Sequence, residues 1–319
     1  MGMRRRTLLA VGGLAVPGIA HAAWPQERPI EVIIPFPPGG GVDQMGRLVA
    51  HHLPRHLPGA RMAVINRPGA GGHIGFETLF NAAPDGYTIG AATNTAMHAI
   101  AIERRPRYRP DEFTLIANVV DDPGAFWVTA RSPWRTLEDL RMAARGRPGE
   151  IGVGTAGIGS DDHMLLLAFE AAAGVNLLHV PYAGTAPIQR DLLVGTLAVG
   201  AFNGSEALNL LRDGRIRGLA QGGPERWAPL GPVPTFREAG FDVLGGSSRG
   251  IAAPPGLHPE ITLQYELAFT AMLADPDFLR DAAQQGFPMR PLVGRAYRQM
   301  MAADYANLRA LWQRRPWRE

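Results

Sequence analysis

Apolar residues fall along this chain in two alternating rhythms, short unbroken runs and stripes spaced three or four apart. Residues 30–36 form a β-branched run bounded by prolines and glycines, the pattern of a buried strand. Residues 42–53 follow with apolar positions at Val42, Met45, Leu48 and Val49, a helical spacing. Further short strands are predicted at 63–66, 87–91, 115–120 and 126–130, separated by glycine-rich turns and short helices. Such alternation predicts a parallel sheet covered by helices on both faces.

A second set of elements begins near Asp121-Asp122-Pro123. Helices are expected at 137–145, 160–173 and 205–213, and strands at 151–154, 178–180, 197–202, 216–220 and 250–253. The tail is helical by pattern over 259–273, 276–285 and 295–313. Two α/β units with a helical tail fit two consecutive domains, or equally a clamp in which the chain crosses over and returns. Periodicity leaves both open.

Composition narrows the class without changing that picture. At 319 residues, 46% hydrophobic and 19% charged, the chain is an ordinary folded protein with room for two domains. Its 32 basic residues are all arginine, a choice best ascribed to genomic composition. Without Arg4, Arg5 and Arg6 the balance is 29 basic against 29 acidic residues, with no basic stripe for nucleic acid. Those three arginines open a stretch with an apolar run at 8–19 and the small-residue site Ala20-His21-Ala22. Residues 1–22 therefore read as an export signal, of twin-arginine type by Arg5-Arg6-Thr7-Leu8-Leu9, with the Sec route as the alternative. Cysteine is absent, which excludes disulfides, thiolate metal sites and a lipid anchor on an N-terminal cysteine.

Three glycine-bearing turns sit at strand-to-helix junctions. They are Pro35-Phe36-Pro37-Pro38-Gly39-Gly40-Gly41-Val42-Asp43, the segment 67–75, and Gly154-Thr155-Ala156-Gly157-Ile158-Gly159-Ser160. In open α/β sheets ligands gather at such turns. No phosphate motif fits: a Walker loop needs lysine, and 67–75 lacks the dinucleotide spacing. Helix N-termini carry unpaired N–H groups and partial positive charge, so a small carboxylate could be held by backbone alone. Phe36 would supply an apolar wall. Asp43 either caps its helix or meets a ligand amine or hydroxyl.

Other chemistry is weakly signalled. Ser160 and His163 could form a hydrolase pair, but the Gly-x-Ser-x-Gly elbow and a third orienting group are missing, and Ser160 reads better as an N-cap. His52 and His56 have the spacing of two metal ligands, yet no acid accompanies them, so with His51 they are assigned to a solvated face. His98 and His179 lack evident partners and are expected to be structural; Phe126, Trp127 and Trp134 are expected in packing.

The segments PFPPGGGVDQMGRLVA, VINRPGAGGHIGFE followed by APDGYTIG, HVPYAGTAP and VPTFREAGF, in this order, resemble the extracytoplasmic receptors of tripartite tricarboxylate transporters, the Bordetella-uptake-gene type. The resemblance runs from Trp24 to about Trp312. It implies a type II periplasmic-binding-protein fold, two α/β lobes joined by crossing strands around a cleft. Lobe one would hold residues 24–122 plus 247–319, and lobe two residues 123–246. It also implies a monomeric receptor without cofactor, which binds a small carboxylate and delivers it to membrane transporter subunits.

Carried over residue by residue, the resemblance places Phe36, Pro38, Gly39, Gly40 and Asp43 in a first ligand loop. Thr155, Gly157, Gly159 and Ser160 belong to the loop that opposes it. Thr93 and Asn94 fit a further contact loop, and Tyr182, Gly184 and Thr185 a mouth-facing turn. Asn203 matches a cleft-facing position, although Phe202 replaces the usual neighbouring acid. A second departure is Asp161-Asp162, where small hydroxyl residues are common. Facing the cleft, they would oppose a second carboxylate and favour a monocarboxylate or a ligand with an amine; the preferred expectation is that both point to solvent. The competing functions are a secreted serine hydrolase using Ser160 and His163, and a sensory module reporting ligand to a signalling partner.

Overall fold

The computed structural model describes residues 24–314, 316 and 317; the export signal assigned to 1–22 lies outside the described residues. The first half-sheet is laid down by β1 (Ile30–Ile34), β2 (Met62–Asn66) and β3 (Thr88–Thr93), all parallel, with β1 in the middle. Helices α1 (Gly41–His52), α2 (His73–Phe80) and α3 (Asn94–Arg104) follow the three strands in turn. Each strand thus ends in a turn at the same edge, and the first two glycine turns become neighbours there. Phe36 of the first lies against Gly72 of the second.

The next element departs from expectation. Two strands were expected around Asp121-Asp122-Pro123; β4 is one continuous strand, Thr114–Thr129. Its first part pairs antiparallel with β9 (Gly246–Ala253), from Thr114 opposite Ala253 to Pro123 opposite Gly246, with register shifts between Leu115 and Ala117 and between Asn118 and Val120. Its last part pairs with β7 (Val199–Asn203) and β8 (Ile216–Gln221) of the second half-sheet. Pro123 is the last residue paired with β9, and at Gly124 the strand passes to β7, so the proline sits at the change of sheets and not inside one regular ladder. The returning chain packs closely here: Gly124 N donates to Gly245 O (3.0 Å), Gly245 N to Gly222 O (3.0 Å) and Gly222 N to Gly124 O (2.7 Å). A side chain on Gly222 or Gly246 would run into this backbone, so glycine is required.

The second half-sheet adds β5 (Gly152–Thr155) between β6 (Leu178–Pro181) and β7, parallel to both. Helices α4 (Leu137–Gly146), α5 (Asp161–Ala173), α6 (Thr185–Val194) and α7 (Gly204–Arg212) cover it. The tail returns to the first half as α8 (Pro259–Leu273), α9 (Pro276–Gln284), β10 (Met289–Val293) and α10 (Arg295–Arg314). Strand β10, not expected from pattern, pairs antiparallel with β4. The sheet is therefore mixed instead of wholly parallel, since the crossing strands run against their neighbours.

Separate apolar clusters fill each half. One packs β1, β3 and the start of β4 under α1 and α8, and includes Ile30, Val49, Tyr265 and Phe269. Another packs the end of β4 and β7 under α5, with Phe126, Phe169 and Phe236. Trp127 lies stacked on Phe202 in a third, its Nε1 donating to Phe202 O at 2.8 Å. A smaller cluster joins the halves: Ala99 of α3 meets Met164 and Leu167 of α5, with Trp317 beside them. The two lobes are thus in contact across the mouth between them.

Candidate functional site

The first turn is shaped from within. Gly39 takes a positive φ of 89°, and its N–H donates to Asp43 Oδ2 at 2.9 Å. Asp43 is buried and also accepts from Arg47 Nε (2.9 Å) and Asn66 Nδ2 (2.8 Å), while Asn66 donates to Phe36 O as well. Burial works to raise the Asp43 pKa, but the bonds from Arg47, Gly39 and Asn66 outweigh it and hold it low. Asp43 therefore braces the turn with bonds inside its own lobe. The start of α1 has no side-chain cap, so its leading amides face the mouth unclaimed by a side chain. Pro38, Gly39 and Gly40 are exposed there, and Phe36 stands half-buried, edge-on to Phe76.

The opposing turn is built differently. Thr155 is buried, its Oγ1 2.7 Å from His179 Nε2. Ala156 N donates to Asp162 Oδ2 (3.2 Å), Gly157 N reaches Thr155 Oγ1 (3.4 Å) and Gly159 N donates to His163 Nδ1 (3.2 Å). Ser160 Oγ accepts from His163 N at 3.2 Å, the N-cap bond of α5. The His163 ring lies flat on His179, centroids 3.9 Å apart. Ser160 thus meets the backbone of His163, and the ring nitrogen that faces the turn takes a backbone N–H; this is a capped helix start and not a nucleophile–base contact.

Between the turns lies a charged group that sequence reasoning missed. Arg249, on β9, is 2% exposed. Its Nη2 is 3.1 Å from Asp122 Oδ2 on β4, and its Nε lies 3.4 Å from Ser247 Oγ. The guanidinium packs against Gly41 at the start of α1, where any Cβ would overlap it. Its Nη1 has no hydrogen-bond acceptor. Asp122 accepts in addition from the N–H (3.0 Å) and hydroxyl of Ser205, at the start of α7.

Three more acids face this arginine from the second lobe. Asp162 is 2% exposed and Asp161 is half-buried, each with one buried carboxylate oxygen that accepts no bond. The expectation that both point to solvent is therefore corrected: the first turn of α5 is turned inward against the crossing strands. Glu206, on α7, accepts from Thr185 Oγ1 (3.1 Å) and Asn203 N (3.3 Å). Burial raises the pKa of all of them. Asp162 stands well above the carboxylate range through burial and the Asp161 charge, and Glu206 is pushed up to about 7 by burial against the pull of Arg249. Asp161 and Asp122 are raised by burial, less so because Arg249 favours their charge. Burial also works against the Arg249 charge, but these four acids keep it protonated.

The remaining predicted residues divide. Asn203 is buried at the end of β7 beside Asp161, and Thr185 joins it through Glu206. Gly184, at the N-cap of α6 next to Thr185, takes a positive φ of 148° that favours glycine. Thr93 is buried with its hydroxyl unbonded. Asn94 is committed within its lobe, donating to Asp304 (3.0 Å) and accepting from Ser248 N (3.0 Å). The Tyr182 hydroxyl donates to Asp191 on α6 at 3.0 Å, which ties it to the lobe surface.

The histidine assignments need correction. His52 is fully buried, 3.0 Å from Asp281, and His56 lies 2.9 Å from Asp275; both acids belong to the segment of α9, over 200 positions away, so they could not be seen as companions in sequence. Only His51 is on the solvated face. His179 has a partner in Thr155. His98 is buried against Tyr305, and burial lowers its pKa to about 3. Two surface hollows of about 540 and 390 Å³ lie elsewhere, one beside α4 and one between α3 and α10.

Two lobes, crossing strands and facing helix starts can be matched against known proteins. The model of the tripartite tricarboxylate transporter family receptor matches residues 45–315. The chain belongs to that family. Protein BugT of Bordetella pertussis is 31% identical over 282 residues, which span 87% of this chain and 86% of BugT. Among solved structures, R. palustris Rpa4515 with adipate is 29% identical at a TM-score of 0.81, covering 91% of this chain and 98% of that one. MatC (Rpa3494) from Rhodopseudomonas palustris with bound malate is 25% identical at 0.79, covering 89% and 99%. The fold is accordingly the two-lobed periplasmic-binding-protein fold, and this is a solute-binding receptor family. No described helix is long and apolar enough to cross a membrane.

Proposed function

We propose that this receptor is exported to the periplasm, binds a small organic carboxylate between lobes 24–122 plus 247–319 and 123–246, and presents it to a tripartite tricarboxylate-type transporter. One observation carries the reading. The uncapped start of α1 and an unbonded nitrogen of the buried Arg249 meet at one point beside Gly41. Backbone N–H groups, a helix dipole and a guanidinium edge all favour an anion there. Binding of adipate and malate by family members supports the same chemistry.

The working cycle is a population shift. A ligand held by α1 and by the second lobe favours the closed form by the difference in its affinity for the two states. Nothing in this cycle breaks a covalent bond in the ligand, and one chain suffices. The test is calorimetry and native mass spectrometry of protein purified from the periplasm. A small acid released unchanged on denaturation is expected, with uptake of that acid lost on gene deletion. A chemically altered product, or a protein that binds no carboxylate, would sink the proposal.

A further inference from the structure

We propose that Trp317 is a latch: carried by the first lobe, it seats against the second and favours the closed form before any ligand arrives. The latch is independent of what the cleft binds and can be tested without a ligand.

Its seat is written into the sequence of α5. Residues 164–167 are Met-Leu-Leu-Leu, without the polar face of an ordinary surface helix. Leu165, Leu166 and Phe169 pack into the core of the second lobe. Met164 and Leu167 are also buried, yet they are absent from that core. They pack instead with Ala99 of α3, with α10 residues such as Leu311, and with Trp317. Helices α3 and α10 lie against each other in the first lobe. One face of α5 thus serves its own lobe and the other face serves the opposite one.

Trp317 is the piece that spans the two. Helix α10 ends at Arg314, and Pro316 follows where a helix would lose a backbone donor. Trp317 then stands edge-on to Trp312, ring centroids 4.7 Å apart, and is only 2% exposed. Its indole edge overlies the glycine turn of the second lobe. A Cβ on Gly159 would lie 4.0 Å from Trp317 Nε1 and 3.5 Å from the Ala99 Cβ. Among the described residues Nε1 finds no acceptor, so apolar packing and not a hydrogen bond holds the ring. Separating the lobes would pull Met164 and Leu167 away from α3 and return this apolar surface to water, which is unfavourable. A receptor closed for part of the time without ligand offers an assembled site. Its apparent affinity falls in proportion to any loss of that closed fraction.

The experiment uses the absence of cysteine, since two introduced cysteines can be spin-labelled without background. Leu267→Cys on α8 and Val194→Cys on α6, 61% and 69% exposed, place one label on each lobe. Double electron–electron resonance on the ligand-free, labelled receptor should show one dominant distance. Trp317→Ala should enlarge a second, open population at least threefold. Trp317→Phe should match the labelled parent, because apolar bulk makes the contact and the unbonded N–H does not. A distance distribution unchanged in Trp317→Ala overturns the latch, as does opening in Trp317→Phe equal to that in Trp317→Ala. Should Trp317→Ala fail to fold, Met164→Ala removes the contact from the other lobe and is judged by the same threefold change.

Discussion

Two helices begin at the mouth of this cleft, α1 after Gly40 and α5 after Ser160, and the same backbone device has opposite electrostatics in each. The start of α1 has no capping side chain and draws a buried arginine from β9. The start of α5 is capped by Ser160 and carries Asp161 and Asp162 in its first turn. Both ends offer amides and positive partial charge. On the proposed reading the first end receives an outside anion, while the second already carries acids of its own chain. The comparison teaches that a glycine turn before a helix identifies where a ligand can approach, while the side chains around it decide the sign of what approaches.

The largest effect is expected from removing the cation that makes the first end different. Arg249→Met leaves Asp122 buried beside Ser205 without its partner, a loss that typically costs about 3–5 kcal/mol. Urea unfolding should show that drop, and carboxylate binding should vanish. Arg249→Met/Asp122→Leu should recover much of the stability and none of the binding. Recovery of binding in the double variant would show that Arg249 only balances Asp122 and that the two helix starts do not differ as argued.

Gly40→Val sharpens the comparison from the backbone side. A Cβ at Gly40 would approach only Pro37 O, at 4.0 Å, and its φ of −77° suits any residue. The variant should fold with an unchanged melting temperature and bind carboxylate at least tenfold more weakly. Equal affinity would move the ligand away from α1. Gly39, at a positive φ, is no substitute for this test because strain would confuse it.

Much of this contrast was legible in the chain, and the unreadable part has a physical cause. Turns 35–43 and 154–160, the N-cap role of Ser160 and the tail helices followed from local pattern, which depends on neighbours in sequence. Arg249 did not. It lies in Ser247-Ser248-Arg249-Gly250, a polar entry to a strand whose apolar part begins only afterwards, and its partner Asp122 is over a hundred positions distant. The one available signal was a charged residue set just before a buried strand. Asp121-Asp122-Pro123 misled in the same way: two acids and a proline normally end a strand, but here they mark the place where β4 passes from one sheet to the other. The pairing of His52 and His56 with Asp281 and Asp275 is likewise a tertiary fact, fixing α1 to α9.

A pH experiment separates the acidic end from the rest. Glu206 has a folded pKa of about 7 against an ordinary 4.5, so between those values the native state binds more protons than the unfolded chain. Stability from this group is therefore greatest below about pH 4.5 and is lost as pH rises towards 7. His98, with a folded pKa of about 3, has the opposite slope up to its ordinary 6.5, so the Glu206 contribution is read from the difference between variant and wild type. Glu206→Gln removes only the first slope. The melting temperature of the variant relative to wild type should rise steadily from pH 5 to 7.5 and then level. A constant difference across that range would mean that Glu206 is solvated and that the acidic end is less acidic than its burial implies.

The smallest effect should come from the residue with the most conspicuous chemistry. Ser160 Oγ accepts one N–H, from His163, at the first turn of α5. Replacing an N-cap serine by alanine typically costs about 0.5–2 kcal/mol. Ser160→Ala should accordingly lower the melting temperature by a few degrees and change ligand affinity less than threefold, because Asp161 and Asp162 remain to hold the acidic end. Gly159 N still donates to His163 Nδ1 in the variant, so the ring keeps its place over His179. An esterase or amidase activity in wild type that disappears in Ser160→Ala would contradict the capping role. A large loss of affinity without loss of stability would instead give the serine hydroxyl a direct part in ligand binding, and the second helix start would then resemble the first more than its charges indicate.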